Sequence, residues 1–355
     1  MHRPFLHPLP VALRAALEQA GHPLAAVRLT SLPDKGLAHD HVRLEGTGLL
    51  ARVPKQSQMG LTAPDNLAYQ QTCFARAAAG GATPQLHGVL PPSHDLPRGA
   101  LLVEEVVGRP ARLPEDLTAL AQSLAALHGL PLPPAAARPP LRADADPLQA
   151  LLDEVREQAG WWPQAGVHEE VTRCLEAELA VLAALCAQPE RPEVTLVAFD
   201  AHPGNFIVRP DGLAVLVDLE KCRYSYPGLD LAHATLYTST TWDIESRCEL
   251  QADEVAGFYR QWAMGMEPSA ARAASSWHLP LRAAMWLWSL TWCAKWRVLS
   301  RQAVRDGADG EDWSAQRSED RLVSHVRERV DHYLEPDVVS KIRRGFDDLG
   351  EALSP

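Results

Sequence analysis

The sequence is short of several features that would fix its class at once. Its six cysteines, at Cys73, Cys174, Cys186, Cys222, Cys248 and Cys293, include no C-x-x-C pair and no zinc-type spacing, so free thiols in a reducing compartment are expected. No dense Lys/Arg run is present. With 34 basic against 45 acidic residues the formal charge is −11, which repels nucleic acid and anionic membrane surfaces. Pro4, Pro8, Pro10, Arg14 and Glu18 break up the start of the chain, so it lacks the apolar stretch of a signal peptide. The tryptophan-rich segment 277–299 is interrupted by Arg282, Lys295 and Arg297, which argues against a membrane span. There is no internal repeat. What remains is a globular chain of 355 residues, expected in the cytoplasm and long enough for two lobes.

Local patterning divides the chain. Residues 11–20 have helical apolar spacing and stop at Gly21. From Val27 to Val53, short apolar runs broken by Gly36, Gly46 and Gly48 predict hairpin strands. A helix over 66–79 ends at Gly80-Gly81, and strands are predicted over 85–90 and 100–107. Beyond Gly108 helices dominate, over 117–128, 147–158 and 169–187, with one strand-turn-strand interruption at 194–218. A β-rich part over 1–106 joined to a mainly helical part over 107–355 leaves a cleft between them, where ligands bind.

The interruption carries the chemistry. In Phe199-Asp200-Ala201-His202-Pro203-Gly204-Asn205, a carboxylate and an amide bracket a tight turn. Leu216-Val217-Asp218-Leu219-Glu220 then reads as a strand that ends with two carboxylates on one side. Phosphoryl transfer needs a carboxylate near the acceptor hydroxyl, oxygen ligands for magnesium, and cations or amides on the phosphates. Asn205 and Asp218 suit magnesium, which leaves Asp200 to orient the hydroxyl.

These strings resemble the catalytic and metal-binding motifs of the aminoglycoside phosphotransferase and choline kinase superfamily, which shares the protein-kinase fold. Gly228-Leu229-Asp230-Leu231-Ala232 is similar to its next motif and Leu124-Ala125-Ala126-Leu127-His128 to the helix after its hinge. The resemblance covers roughly residues 27–300. It implies a two-lobed α+β fold with a β-rich N-lobe and a mainly helical C-lobe. It also implies an ATP- and Mg2+-dependent kinase acting on a hydroxyl of a small metabolite, neutral or cationic, such as an amino alcohol or amino sugar. Gly36 looks like part of the phosphate-covering loop, Arg52 like the phosphate-binding cation with Lys55 as substitute, and Glu104 to Val106 like the hinge backbone that takes adenine. Glu220 is assigned to the metal or substrate side.

Two positions depart from the family: Ala198 stands where histidine is usual, and Gln70 where the lobe-bridging helix offers a glutamate. Ala198 costs hydrogen bonds that hold the loop, and Gln70 can still accept one from Arg52. A catalytically silent nucleotide-binding protein is therefore the alternative. His202 is expected to fix the catalytic turn, and His39 and His41 to lie on the surface. Trp288, Trp292 and Trp296 fall on one helical face. The default for such a cluster is the core of the helical lobe, and a face for a cationic acceptor is the alternative, with Trp288 and Trp292 as its candidates. The pattern is silent on oligomeric state.

Overall fold

A computed structural model describes residues 8–34, 36–304 and 307–354. The N-terminal part is a five-stranded antiparallel sheet in the order β1-β2-β3-β5-β4, made of β1 (Leu29–Ser31), β2 (His39–Leu44), β3 (Leu49–Pro54), β4 (Leu86–Leu90) and β5 (Ala100–Glu104). Side chains alternate across each strand. Val42, Leu44, Ala51, Val53, Ala100 and Leu102 form the outer core with Leu9, Leu13, Ala16 and Leu17 of helix α1 (Leu9–Gln19). His39, His41, Arg43, Leu50 and Arg52 consequently face the other way, into the cleft. Helix α2 (Ala63–Ala77) starts with Thr62 capping the Asp65 N–H. It is tied to the C-terminal part by the Tyr69 hydroxyl, which donates to the Cys222 carbonyl at 2.7 Å.

The C-terminal part opens with β6 (Arg109–Pro110), α3 (Leu117–His128), α4 (Pro147–Ala159), the short α5 (Trp162–Ala165) and α6 (Glu169–Cys186). Strand β7 (Thr195–Val197) pairs with β10 (Arg223–Ser225), while β8 (Phe206–Val208) lies between β6 and β9 (Ala214–Leu216). There follow α7 (Pro227–Thr235), α8 (Tyr237–Thr240), α9 (Ala252–Met264), α10 (Pro268–Ser275), α11 (His278–Leu299), α12 (Asp320–Tyr333) and α13 (Pro336–Leu353). The two-lobed α+β architecture implied by the resemblance is the one the chain adopts.

Helix α11 is the spine of the helical lobe, buried along most of its length against α4, α6, α7 and α12. Its charged residues have partners within the protein: Arg282 donates to Thr235, Lys295 pairs with Glu157, and Arg297 pairs with Asp331. Among the described residues no helix is long and apolar enough to cross a membrane. The six cysteines are unpaired. The loop after α11 returns to the sheet lobe, where the Ser57 N–H donates to the Gly310 carbonyl and the Gly310 N–H to Leu61.

Candidate active site

The cleft between the lobes has a volume of about 510 Å³, within the range of small-ligand sites. Its floor is the turn after β7. The backbone N–H groups of Ala198 and Phe199 both donate to the Asp230 carboxylate, at 2.7 and 2.8 Å. Asp230 is fully buried and also bonds His128 Nε2 at 3.0 Å, while Trp262 donates to His128 Nδ1. This clamp holds Phe199 at φ 59°, a left-handed conformation that is costly for a bulky residue. Asp200 thereby turns into the cleft. Position 198 contributes only a backbone donor, and the anchoring is done by Asp230 and His128.

Asn205 closes the turn by donating from Nδ2 to the Asp200 carbonyl at 2.8 Å, which leaves its Oδ1 for a ligand. The Val217 N–H donates to the Asn205 carbonyl, so Asp218 follows directly beside Asn205. Gly204 must be glycine for space, since a Cβ there would stand 2.8 Å from Asp243 Cβ. The strand expected over 216–220 stops at Leu216. Asp218 and Glu220 project instead from irregular chain, and both reach the cleft.

Arg52, buried on β3, donates from Nη2 to Asp218 Oδ1 at 2.8 Å and from Nη1 to the Val217 carbonyl. Burial raises the Asp218 carboxyl, but Arg52, then His39 and Lys221, outweigh it and hold the group below its usual range. Gln70 does not accept from Arg52 as expected. It bonds His39 Nε2 at 2.9 Å, and His39 Nδ1 bonds Arg52 Nη2 at 3.2 Å, so the imidazole bridges the two.

His39 and His41 are not surface residues. The pleat of β2 that sends Val42 and Leu44 to the outer core turns both histidines into the cleft, and His39 is 3% exposed. Burial, then Arg52, lowers His41 to about 3 and holds His39 well below its ordinary value. Glu220, equally buried, is pushed up to about 8 by desolvation and then by Asp218. One ligand atom each of His39, Asp218 and Glu220 lie within 4.8 Å of one another. His39 already uses both ring nitrogens, so the oxygens of Asp218, Glu220 and Asn205 are the donors left to a hard divalent cation such as Mg2+, a set that suits it.

Lys221 was not singled out from the sequence. Its ammonium lies 2.8 Å from Asp200 Oδ2 and 5.9 Å above the Trp288 ring. Burial raises the Asp200 carboxyl, but Lys221, then His202 and His233, bring it below its usual range. A lysine directly after the Asp-x-Glu triplet was the available signal.

Trp288 is fixed by donating from Nε1 to Glu154 at 2.7 Å and by an edge contact with Phe199. Trp292 lies against Trp242 and Trp313. Both line the cleft while belonging to the helical core, so the two readings of this face overlap. His202 makes no turn-fixing bond through Nδ1, which is buried without a partner.

On the nucleotide side, the cleft is lined by Gly36, Glu104, Val106, Gly108 and Pro110. The Glu104 side chain pairs with Arg209, and its backbone N–H donates to Gln85. Lys55 pairs with Asp34 at 2.6 Å and donates to the Gly36 carbonyl, so it secures the loop between β1 and β2. Lys35, in the same loop, lies outside the described residues.

The profile of the phosphotransferase enzyme family matches residues 36–267, more than half of the chain. Among solved structures, a choline/ethanolamine kinase family protein from Mesorhizobium loti is similar over 94% of this chain and 97% of its own, at 16% identity and TM-score 0.58. Plasmodium vivax ethanolamine kinase is similar over 93% of this chain and 89% of its own, at 12% identity and TM-score 0.59. Aminoglycoside 2'-phosphotransferase-IIIa is similar over 92% of this chain and 99% of its own, at 15% identity and TM-score 0.57. No curated protein sequence matches at a significant level.

Proposed function

The chain belongs to the phosphotransferase enzyme family, and from that premise we propose that it transfers the γ-phosphoryl group of ATP to a hydroxyl of a small metabolite. The observation that carries this reading is the convergence of Asp200, Asn205 and Asp218 on one cleft, with Arg52 bonded to Asp218. In it, Asp200 orients the acceptor hydroxyl, Asn205 and Asp218 hold magnesium with Glu220 beside them, and Arg52 serves the phosphates. The metal would neutralise charge on the transferred group. Gly36 covers the phosphates, and the backbone from Glu104 to Val106 takes the adenine.

Asp200 is too acidic beside Lys221 to be a strong base. Alignment of the hydroxyl is therefore its main task, which suits a loose transition state. In this reading residues 1–106 form the nucleotide lobe, residues 107–355 supply the catalytic loop and acceptor side, and the protein works in the cytoplasm without nucleic-acid or membrane partners. The solved neighbours named for choline, ethanolamine and aminoglycosides make amino alcohols and amino sugars the first acceptors to try. The alternative, a silent nucleotide-binding protein, is favoured by one observation: Asp200 and Asp218 each already pair with a cation of the chain.

The test is ADP release from Mg-ATP across amino alcohols, amino sugars, hydroxy acids and sugar phosphates, with Asp200→Ala as control. Acceptor-dependent release that disappears in the control supports the enzyme. ATP binding without release under any acceptor supports the silent protein, and a failure to bind ATP refutes both.

A further inference from the structure

The acceptor side of Asp200 carries a set of polar groups that the phosphate side does not use. His202 Nδ1, His233 Nδ1, Thr238 Oγ1 and Ser239 Oγ are buried without hydrogen-bond partners, and all four residues line the cleft. His233 Nδ1 stands 3.9 Å from Asp200 Oδ1, beyond hydrogen-bond length. Buried polar atoms left unmatched are costly, so a cluster of them in a cleft marks where a ligand brings the matching atoms. All four can donate a hydrogen bond in one of their proton arrangements.

The charges around them are mixed: the Asp200 carboxylate is paired with the Lys221 ammonium, and Asp243 and Glu245 also line the cleft. Lys221 is largely buried, with its side chain 12% exposed, and it covers the Trp288 ring. That ring is the surface a quaternary ammonium or amine would otherwise use. A cationic acceptor whose charge sits next to its reacting hydroxyl would thus meet the chain's own ammonium. The two ionised carboxylates nearest the reaction, Asp200 and Asp218, are each matched by a cation, Lys221 and Arg52, so neither is left as an uncompensated counter-charge.

Building on the phosphotransferase reading, we infer that the acceptor carries an oxyanion, a carboxylate or a phosphate, close to its reacting hydroxyl. Lys221 binds that group together with the His202, His233, Thr238 and Ser239 donors. Lys221 is then a specificity residue that contacts substrate, and Trp288 is its platform.

The experiment uses the full chain with Mg-ATP. ADP release and binding calorimetry are measured with glycerate, as a carboxylate probe, and glucose 6-phosphate, as a phosphate probe, against choline, ethanolamine and kanamycin. The expected result is a kcat/KM for at least one anionic probe that is about tenfold or more above every cationic one. Which probe it is distinguishes carboxylate from phosphate. Lys221→Gln should raise the KM for that probe about tenfold or more while kcat falls less, as for a group that binds substrate and transition state alike, and Lys221→Arg should restore most of the loss. A wild-type preference for choline, ethanolamine or kanamycin overturns the inference. So does anionic binding that is indifferent to Lys221→Gln, or no anionic binding at all. ADP release, measured in the same samples, separates this failure from that of the phosphotransferase reading: release with a cationic acceptor alone overturns only the inference, and no release with any acceptor overturns the phosphotransferase reading itself.

Discussion

Replacing Asp230 by alanine should disable the site from beneath without touching any residue that faces the cleft. The substitution removes the acceptor for the Ala198 and Phe199 N–H groups and for His128 Nε2, at 2.7, 2.8 and 3.0 Å. Asp230 is 0% exposed, so water has no ready access to these donors. A buried donor left unpaired costs about 1–3 kcal/mol. With the Ala198 and Phe199 N–H groups and His128 Nε2 all left so, a stability loss of about 3 kcal/mol or more, read from urea denaturation, follows. Phe199, held at φ 59° by the two amide bonds, then relaxes and carries Asp200 with it. A displacement of about 1 Å at the reacting group costs about 10²-fold in rate, so kcat should fall by that order. The KM for ATP should change only a few-fold, because Arg52 and the chain from Glu104 to Val106 lie in other elements. Asp230→Asn should be nearly as damaging, since its amide N–H₂ faces a donor whichever way it is turned. A variant within about 1 kcal/mol of wild-type stability and with kcat within about threefold of it would refute the clamp.

Arg52→Met should leave Asp218, whose side chain is 24% exposed, without its guanidinium partner, costing about 1–3 kcal/mol in a denaturation experiment and raising the KM for ATP about tenfold or more in a steady-state assay. Gly204→Ala brings a Cβ to 2.8 Å from Asp243 Cβ, so the turn must shift; acceptor-dependent kcat/KM should fall while calorimetric ATP affinity holds. In the metal-free protein, Glu220 is raised to about 8, so the folded state binds more protons than the unfolded one between about pH 4.5 and 8, and stability from this group falls as pH rises across that window. Glu220→Gln should flatten the fall in melting temperature over the same range. Ala198→His inserts an imidazole at a position with no exposed surface, so it should destabilise by about 1–3 kcal/mol in thermal unfolding and leave kcat no higher.

The sequence pattern reached the fold and the reacting turn because both are encoded locally. Hydrophobic period located α1, α2, α3, α4 and α6 to within a few residues, and the Asp200 to Asn205 turn declares itself by its own residues. Facing was harder. Nothing inside His39-Asp40-His41-Val42-Arg43-Leu44 says which side of β2 the other lobe will dock on, and the answer came from α1, which claims Val42 and Leu44 for the outer core. Asp218 and Glu220 carry a strand pattern because the apolar run continues to Leu219, yet β9 ends at Leu216 and the rest of the run bends into the cleft. The pairing of Lys221 is not legible in the sequence because the partner lies 21 residues upstream, and a long-range ion pair leaves no local period.

The two departures that suggested a silent protein have a different meaning once their neighbourhoods are known. A histidine at position 198 could only help hold a loop that Asp230 and His128 already hold through the backbone, and backbone donors do not depend on side-chain identity. A glutamate at position 70 would meet His39, which Gln70 satisfies through one hydrogen bond while the other ring nitrogen serves Arg52. Gln70 keeps that relay neutral. Glutamate there would add a third acidic group to a buried neighbourhood where Asp218 already has Arg52 as its counter-ion and Glu220 is pushed towards its neutral form. The more ionised carboxylates share one desolvated space, the more each resists deprotonation, and Glu220 already registers that effect. Ala198 and Gln70 are therefore consistent with an intact reacting end whose anchoring has moved to Asp230, His128 and His39, and they carry little weight as signs of lost activity.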